Sequence, residues 1–208
     1  MSSRLESLAP HSHEPTVFVY HDRLTRHVLS DNHVFKPYRL RDTYNLLNSL
    51  GAFELNNAKL TEPRQVSVDE LRCFHTAEYI NAVSELAQGQ KLSDAAKFGF
   101  SSDGDNPIYA DMYDSALWTT GASSTATDHL LGSRCAVAVN FSGGLHHAMP
   151  NYAAGFCIFD DPVIAIKQMT NAGARVAYVD IDCHHGDGVQ TAFYETDQVL
   201  TISLHESG

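Results

Sequence analysis

The residues with the most chemical potential lie in one run, Asp180-Ile181-Asp182-Cys183-His184-His185-Gly186-Asp187-Gly188. It continues an apolar, β-branched stretch, and residues 175–182 together read as a strand. Alternation along a strand would set Asp180, Asp182 and His184 on one face while the chain stays extended. Three ionisable groups leaving an apolar strand on one side are costly unless a partner satisfies them. A divalent metal does so, because carboxylate oxygen and imidazole nitrogen are natural zinc ligands. A lone Asp-x-His would more often be an Asp-rich loop that caps a helix. The density of acids and imidazoles in this run favours the metal.

A second cluster reads Phe141-Ser142-Gly143-Gly144-Leu145-His146-His147-Ala148. It follows residues 135–140 (CAVAVN), which are short, apolar and β-leaning. The paired glycines permit close backbone approach or positive φ, which suits a loop under a substrate. The adjacent histidines could be general bases or metal ligands. Alone, the cluster also fits a turn with two surface histidines. Its weight comes from standing at the same end of a sheet as the first cluster.

The elements around these clusters must position them. Residues 16–20 (TVFVY) read as a strand, and residues 37–50 as a helix stopped by Gly51. Ser67 with Glu70 resembles a capping box. Residues 76–88 form a helix with Ala77, Ile80, Val83, Leu86 and Ala87 as its apolar stripe. Residues 93–113 are irregular, and a helix rich in small residues follows at 114–131. Residues 161–172 read as a helix with Asp161 as N-cap and Pro162 at its first position. A short helix at 188–194 and a strand at 199–204 complete the pattern. Apolar strands alternating with helices indicate an α/β fold with a mostly parallel sheet. Ligands in such sheets gather beyond the carboxyl ends of the strands, where both clusters fall.

The chain has 208 residues, 43% of them hydrophobic and 19% charged, which is ordinary globular composition for one domain or most of one. Residues 1–15 read as a loose polar tail without the apolar core of a secretory signal. No stretch is apolar enough for a membrane span. The net charge of −11 argues against direct nucleic-acid binding and suits a cationic substrate better. Cys73, Cys135, Cys157 and Cys183 form no C-x-x-C pair, so free thiols in a reducing cytoplasm are expected.

The segments GGLHHA (143–148), GFC (155–157), YVDIDCHHGDGVQ (178–190) and LTISLHE (200–206) resemble the zinc-dependent deacetylases. That family includes the histone deacetylases and the bacterial acetoin-utilisation deacetylases. Weaker matches lie at HVFKPYR (33–39) and GDNP (104–107). The resemblance covers most of the chain after the tail. It implies a three-layer arginase/deacetylase fold around a central, mostly parallel sheet, with the C-terminal part missing. Residues 16–208 would be that domain. The implied reaction is hydrolysis of the acetyl group from N-acetyl-lysine of a protein.

By position, the resemblance makes Asp182 and His184 zinc ligands. His146 and His147 become the tandem acid–base histidines, with Asp180 and Asp187 as their carboxylate partners. Gly155 and Phe156 resemble the wall of an acyl-lysine tunnel. Asp105 resembles a rim aspartate that binds the substrate backbone, and Arg39 an arginine lining an internal acetate cavity. The carbonyls of Asp180, Asp182, His184 and Leu204, with the Ser203 hydroxyl, resemble a potassium site. The family's third zinc ligand and its oxyanion-binding tyrosine would lie beyond Gly208, so the 208 residues alone are expected to catalyse little. Two neighbouring chemistries stay open, an acetylpolyamine deacetylase and a non-catalytic acetyl-lysine binder. A binuclear manganese ureohydrolase fits less well, because Gly186 stands where a second carboxylate of Asp-x-His-x-Asp would fall.

Overall fold

The computed structural model describes residues 15–30, 32–102 and 104–207. The tail expected at 1–15 lies almost wholly outside the described residues. The strands are β1 (Thr16–Val19), β2 (Ala58–Thr61), β3 (Val137–Val139), β4 (Val176–Asp180) and β5 (Val199–Ser203). The principal helices are α1 (Tyr38–Ser49), α2 (Val68–Leu71), α3 (Ala77–Ala87), α4 (Met112–Leu131), α5 (Asp161–Asn171) and α6 (Asp187–Phe193). Every strand pairing is parallel. The strands form two ladders, β2-β1-β3 and β4-β5. The chain is therefore α/β with parallel strands joined through helices, as the alternating pattern requires.

β1 is central in its ladder, and Val17, Phe18 and Val19 are all buried there. A strand covered on both faces needs this continuous apolar run. Its side chains pack with Leu24, Leu40 and Ala122 in one core. A second core joins Tyr79, Ile80, Val83 and Leu86 of α3 to Met112 and Ala116 of α4 and Ile164 of α5. Thr76 caps α3 by accepting from the Tyr79 N–H. Ser67 and Glu70 make the expected capping box at α2. On α4, a Cβ at Gly121 would collide with the Arg64 carbonyl, so only glycine lets the 64–66 backbone lie against that helix.

Three expectations change. β4 ends at Asp180, and residues 182–184 bend instead of continuing the strand. The Asp182 carboxylate accepts the His184 N–H at 2.7 Å, which turns the chain and ends the alternation. The N-cap of α5 is Asp160, whose side chain accepts from Val163 N, so Asp161 occupies the first helical position. Irregular structure also ends earlier than residue 113, since α4 starts at Met112.

Candidate active site

Both chemical clusters leave the carboxyl ends of parallel strands and meet in one cavity of about 880 Å³. Its lining includes Arg39, Asp105, His146, His147, Gly155, Phe156, Asp182, His184 and Asp187.

The histidine loop leaves β3 through Asn140. The Asn140 side-chain oxygen accepts the Ser142 N–H at 2.9 Å and the Ser142 hydroxyl at 2.7 Å. Its amide donates to the Ser123 hydroxyl at 2.9 Å, and that hydroxyl donates to Asp161. Asp161 then accepts the N–H groups of Gly144 at 3.2 Å and Leu145 at 2.8 Å. Gly144 has φ +86°, a conformation that L side chains rarely adopt. The loop is therefore tied down just before it delivers His146 and His147.

Each histidine has a carboxylate behind it. His146 is buried, and its Nδ1 lies 2.6 Å from Asp180 Oδ2. His147 Nδ1 lies 2.6 Å from Asp187 Oδ1. The expected pairs are both present. The two rings sit 4.1 Å apart by centroid, and His147 is 5.9 Å from His184. A ring that gives its Nδ1 to a carboxylate is fixed in orientation and presents Nε2 outward. Here that Nε2 edge faces the metal-type residues, with His146 Nε2 3.9 Å from Asp182 Oδ1.

Asp180 is supplied from several sides. Its Oδ2 also accepts the Tyr178 hydroxyl at 2.6 Å, and its Oδ1 accepts the Asp182 N–H at 3.0 Å. Burial raises its pKa, but the Tyr178, His146 and Asp182 donors outweigh burial and hold the carboxyl below the ordinary range. The Tyr178 hydroxyl is correspondingly pushed far up, by burial first and then by Asp180. Tyr178 was missed from the sequence, although its place two residues before Asp180 puts both on one strand face.

Asp182 and His184 line the cavity and are half to mostly exposed. Their Oδ1 and Nδ1 atoms are 3.0 Å apart. Two ligands on one tetrahedral zinc are separated by ~3.3 Å at ordinary zinc–ligand lengths. The carboxylate–imidazole pair thus fits that ion in both donor type and spacing. The Cys183 thiol completes a group whose ligand atoms all lie within 4.8 Å of one another. Burial opposes the Asp182 charge, while the His184 N–H and ring stabilise it, with a net lowering of its pKa.

The remaining sequence-chosen residues divide. Gly155 and Phe156 form a wall with φ +50° and φ +73°. A Cβ on Gly155 would collide with the His147 ring, so glycine is needed for the wall to touch the histidine. The Phe156 ring stacks edge-on with His33 at 4.6 Å. Arg39 donates to the Phe141 carbonyl at 2.9 Å and lies over the Phe35 ring, and burial lowers its pKa. Asp105 is exposed at the rim. Ser203 stands opposite Asp180 in the β4-β5 register, and the Leu204 N–H donates to the Asp180 carbonyl at 2.9 Å. Asp180, Ser203 and Leu204 are thus neighbours behind the cavity and do not line it.

A sequence model of the histone deacetylase domain matches residues 33–208. The chain is 37% identical over 196 residues to the acetoin utilization protein AcuC of Bacillus subtilis, covering 93% of this chain and 50% of that protein. It is 36% identical to type-1 histone deacetylase 1 of Dictyostelium discoideum, covering 92% of this chain and 38% of that protein. Against human histone deacetylase 1 it is 33% identical over 193 residues, covering 92% of this chain and 39% of that protein. The chain spans half or less of the length of these relatives. The matched span contains both His–Asp pairs and the Asp182/His184 group, and on that ground the chain belongs to the histone deacetylase family.

Proposed function

We propose that this chain carries the working face of a zinc-dependent hydrolase that removes acetyl groups from N-acetyl-lysine of proteins. The observation that supports it most is the pair of imidazoles, each backed by a carboxylate at 2.6 Å, facing the Asp182/His184 group across one cavity. Asp182 and His184 would hold the zinc. The ion supplies, when bound, Lewis-acid polarisation of the acetyl oxygen and a more acidic water.

The chain's own residues do the rest. Asp180 and Asp187 fix the Nδ1 proton of each ring, leaving the two Nε2 atoms to exchange protons with water and with the departing amine. One ring takes the water proton at Nε2, and the pair returns a proton to the lysine nitrogen. Gly155 and Phe156 form one side of a channel for the lysine stem. Asp105 accepts from the substrate backbone at the rim, and Arg39, exposed in the lining of the same cavity and not in an internal one, meets the acetate as it leaves. Asp180, Asp182, His184, Ser203 and Leu204 hold a potassium ion that stiffens the β4-β5 end. Residues 16–208 act as one deacetylase-type domain. Among the described residues no helix is long and apolar enough to cross a membrane. We place the protein in the cytoplasm, acting on acetylated proteins without direct nucleic-acid binding.

The test is acetate release from acetyl-lysine peptides by the full-length protein, with and without zinc. Zinc-dependent release that falls in His147→Ala and Asp182→Ala supports the proposal. Release unchanged in both variants contradicts it, and turnover of acetylpolyamines in preference to peptides would move the substrate to a small cation.

A further inference from the structure

The loop bearing His146 and His147 is gripped by two adjacent carboxyl groups at the start of α5. Asp161 is well supplied with donors, namely the N–H groups of Gly144 and Leu145 and the Ser123 hydroxyl. Asp160 is wholly buried and placed differently. Its Oδ1 accepts the Val163 N–H at 2.9 Å. Its Oδ2 is sealed from solvent and has no hydrogen-bond partner.

Gly188 reports what surrounds that oxygen. A Cβ on Gly188 would lie 2.6 Å from Asp160 Oδ2, 2.6 Å from the His146 carbonyl oxygen and 2.7 Å from the Ala148 carbonyl oxygen. Three acceptors therefore crowd one spot, and only a bare glycine fits beside them. The spot is too close to the Gly188 Cα for an ion or a water. The His146 carbonyl already accepts the Gly188 N–H at 3.0 Å, but a carboxylate oxygen at Asp160 Oδ2 would sit in a dry site with carbonyls near it and no donor of its own, which is a costly arrangement. A carboxylic acid removes the conflict, because its O–H is the missing donor. Burial raises the Asp160 pKa, the Val163 N–H opposes the rise, and the charges of Asp161, Asp187 and Asp180 add to it, so that it stands well above the ordinary carboxyl value.

We propose that Asp160 is kept as a neutral acid and acts as a positioning residue, its O–H donating to a main-chain carbonyl of the 146–148 segment while the Asp161 carboxyl oxygens take the N–H groups of Gly144 and Leu145. The two neighbours thus hold opposite polarities of one loop, and together they set the height of both imidazoles above Asp182 and His184. Only the effect on turnover rests on the acid–base reading of those histidines. The contact itself does not.

The full-length protein carrying isotope-labelled aspartate should show the infrared C=O band of a protonated carboxyl at neutral pH. The band should vanish in Asp160→Asn and persist in Asp161→Asn. The carboxamide of Asp160→Asn donates as the acid does, so the downfield Nδ1–H proton resonances of His146 and His147 should stay in place. Hydrolysis should stay within roughly threefold of the parent. Asp160→Ala should shift those resonances and lower kcat with KM nearly unchanged, by ~10²-fold if the rings move by an ångström. If Asp160→Ala fails to fold, the band and the Asp160→Asn resonances still decide. Absence of a protonated-carboxyl band at neutral pH overturns the proposal, as does displacement of the resonances by Asp160→Asn. A parent that hydrolyses nothing removes the proposed function alone, because the band and the resonances are read without turnover.

Discussion

His147 Nδ1 and Asp187 Oδ1 are 2.6 Å apart, and the same carboxylate oxygen accepts the Gly188 N–H at 3.0 Å. Asp187 is the first residue of α6, so the helix start fixes the carboxylate and the carboxylate fixes the ring. Asp187→Asn should therefore leave the fold intact and weaken hydrolysis by ~10- to 100-fold. The check is kcat/KM on an acetyl-lysine peptide beside a circular dichroism spectrum. Unaltered kcat/KM would mean that Asp187 does not orient a working base.

Gly155→Ala probes the opposite side of the same ring. Its φ of +50° disfavours any Cβ, and the added methyl would strike the His147 ring. Turnover should fall more steeply than thermal stability. A variant that loses stability but keeps its rate per folded molecule would show that the wall does not need to touch His147.

Two buried histidines make stability acid-sensitive. His75 accepts the Asp160 N–H on Nε2 and lies 3.0 Å from the Met149 carbonyl through Nδ1, an arrangement suited to the neutral ring. Burial lowers its pKa from 6.5 to about 4. Burial lowers that of His27 likewise, from 6.5 to about 4. At these two rings the unfolded chain then binds more protons than the folded one between these values, so their contribution to stability is full above pH 6.5 and is lost as pH falls toward 4. Each ring contributes roughly 3 kcal/mol over that window. The buried Asp160 carboxyl, raised by its burial, works against this over the same window, so the reading is a difference: between neutral pH and about pH 4, His75→Gln should lose less of its denaturant midpoint than the parent. The same pH dependence in the parent and in His75→Gln would contradict it.

Tyr79 is fully buried, and its hydroxyl donates to the Ile158 carbonyl at 2.6 Å. Tyr79→Phe keeps the ring packing and strands that carbonyl. The expected loss is ~1–3 kcal/mol, read by chemical denaturation, with the site geometry retained.

The sequence was legible where one local signal decided the structure. The apolar run of β1 announced itself, as did Ile80, Val83 and Leu86 of α3, although Ala77 is exposed and the buried Tyr79 and Ala82 lay outside the expected stripe, and the box at Ser67 and Glu70 formed as spaced. β2 was not assigned, because Ala58–Thr61 is an edge strand whose Leu60 is exposed and gives no buried period. The start of α5 was misplaced by one residue because two aspartates precede Pro162. The second helical position also needs no N–H, so Asp160 could serve as the cap. Within the site, the His–Asp pairs join residues 34 and 40 positions apart and were legible only through the family resemblance. The grip of Asp161 on Gly144 and Leu145 joins residues 16 and 17 positions apart, and local pattern carries no sign of it.

Under the proposed function, Asp182 and His184 would hold a zinc ion beside the two histidines. The most direct measurement is zinc content and zinc-dependent acetate release together, for the full-length protein, for Asp182→Ala and for His184→Ala. Stoichiometric zinc and acetate release are expected in the parent, with both lost in each variant and the fold preserved. Stoichiometric zinc and undiminished release in either variant would contradict it.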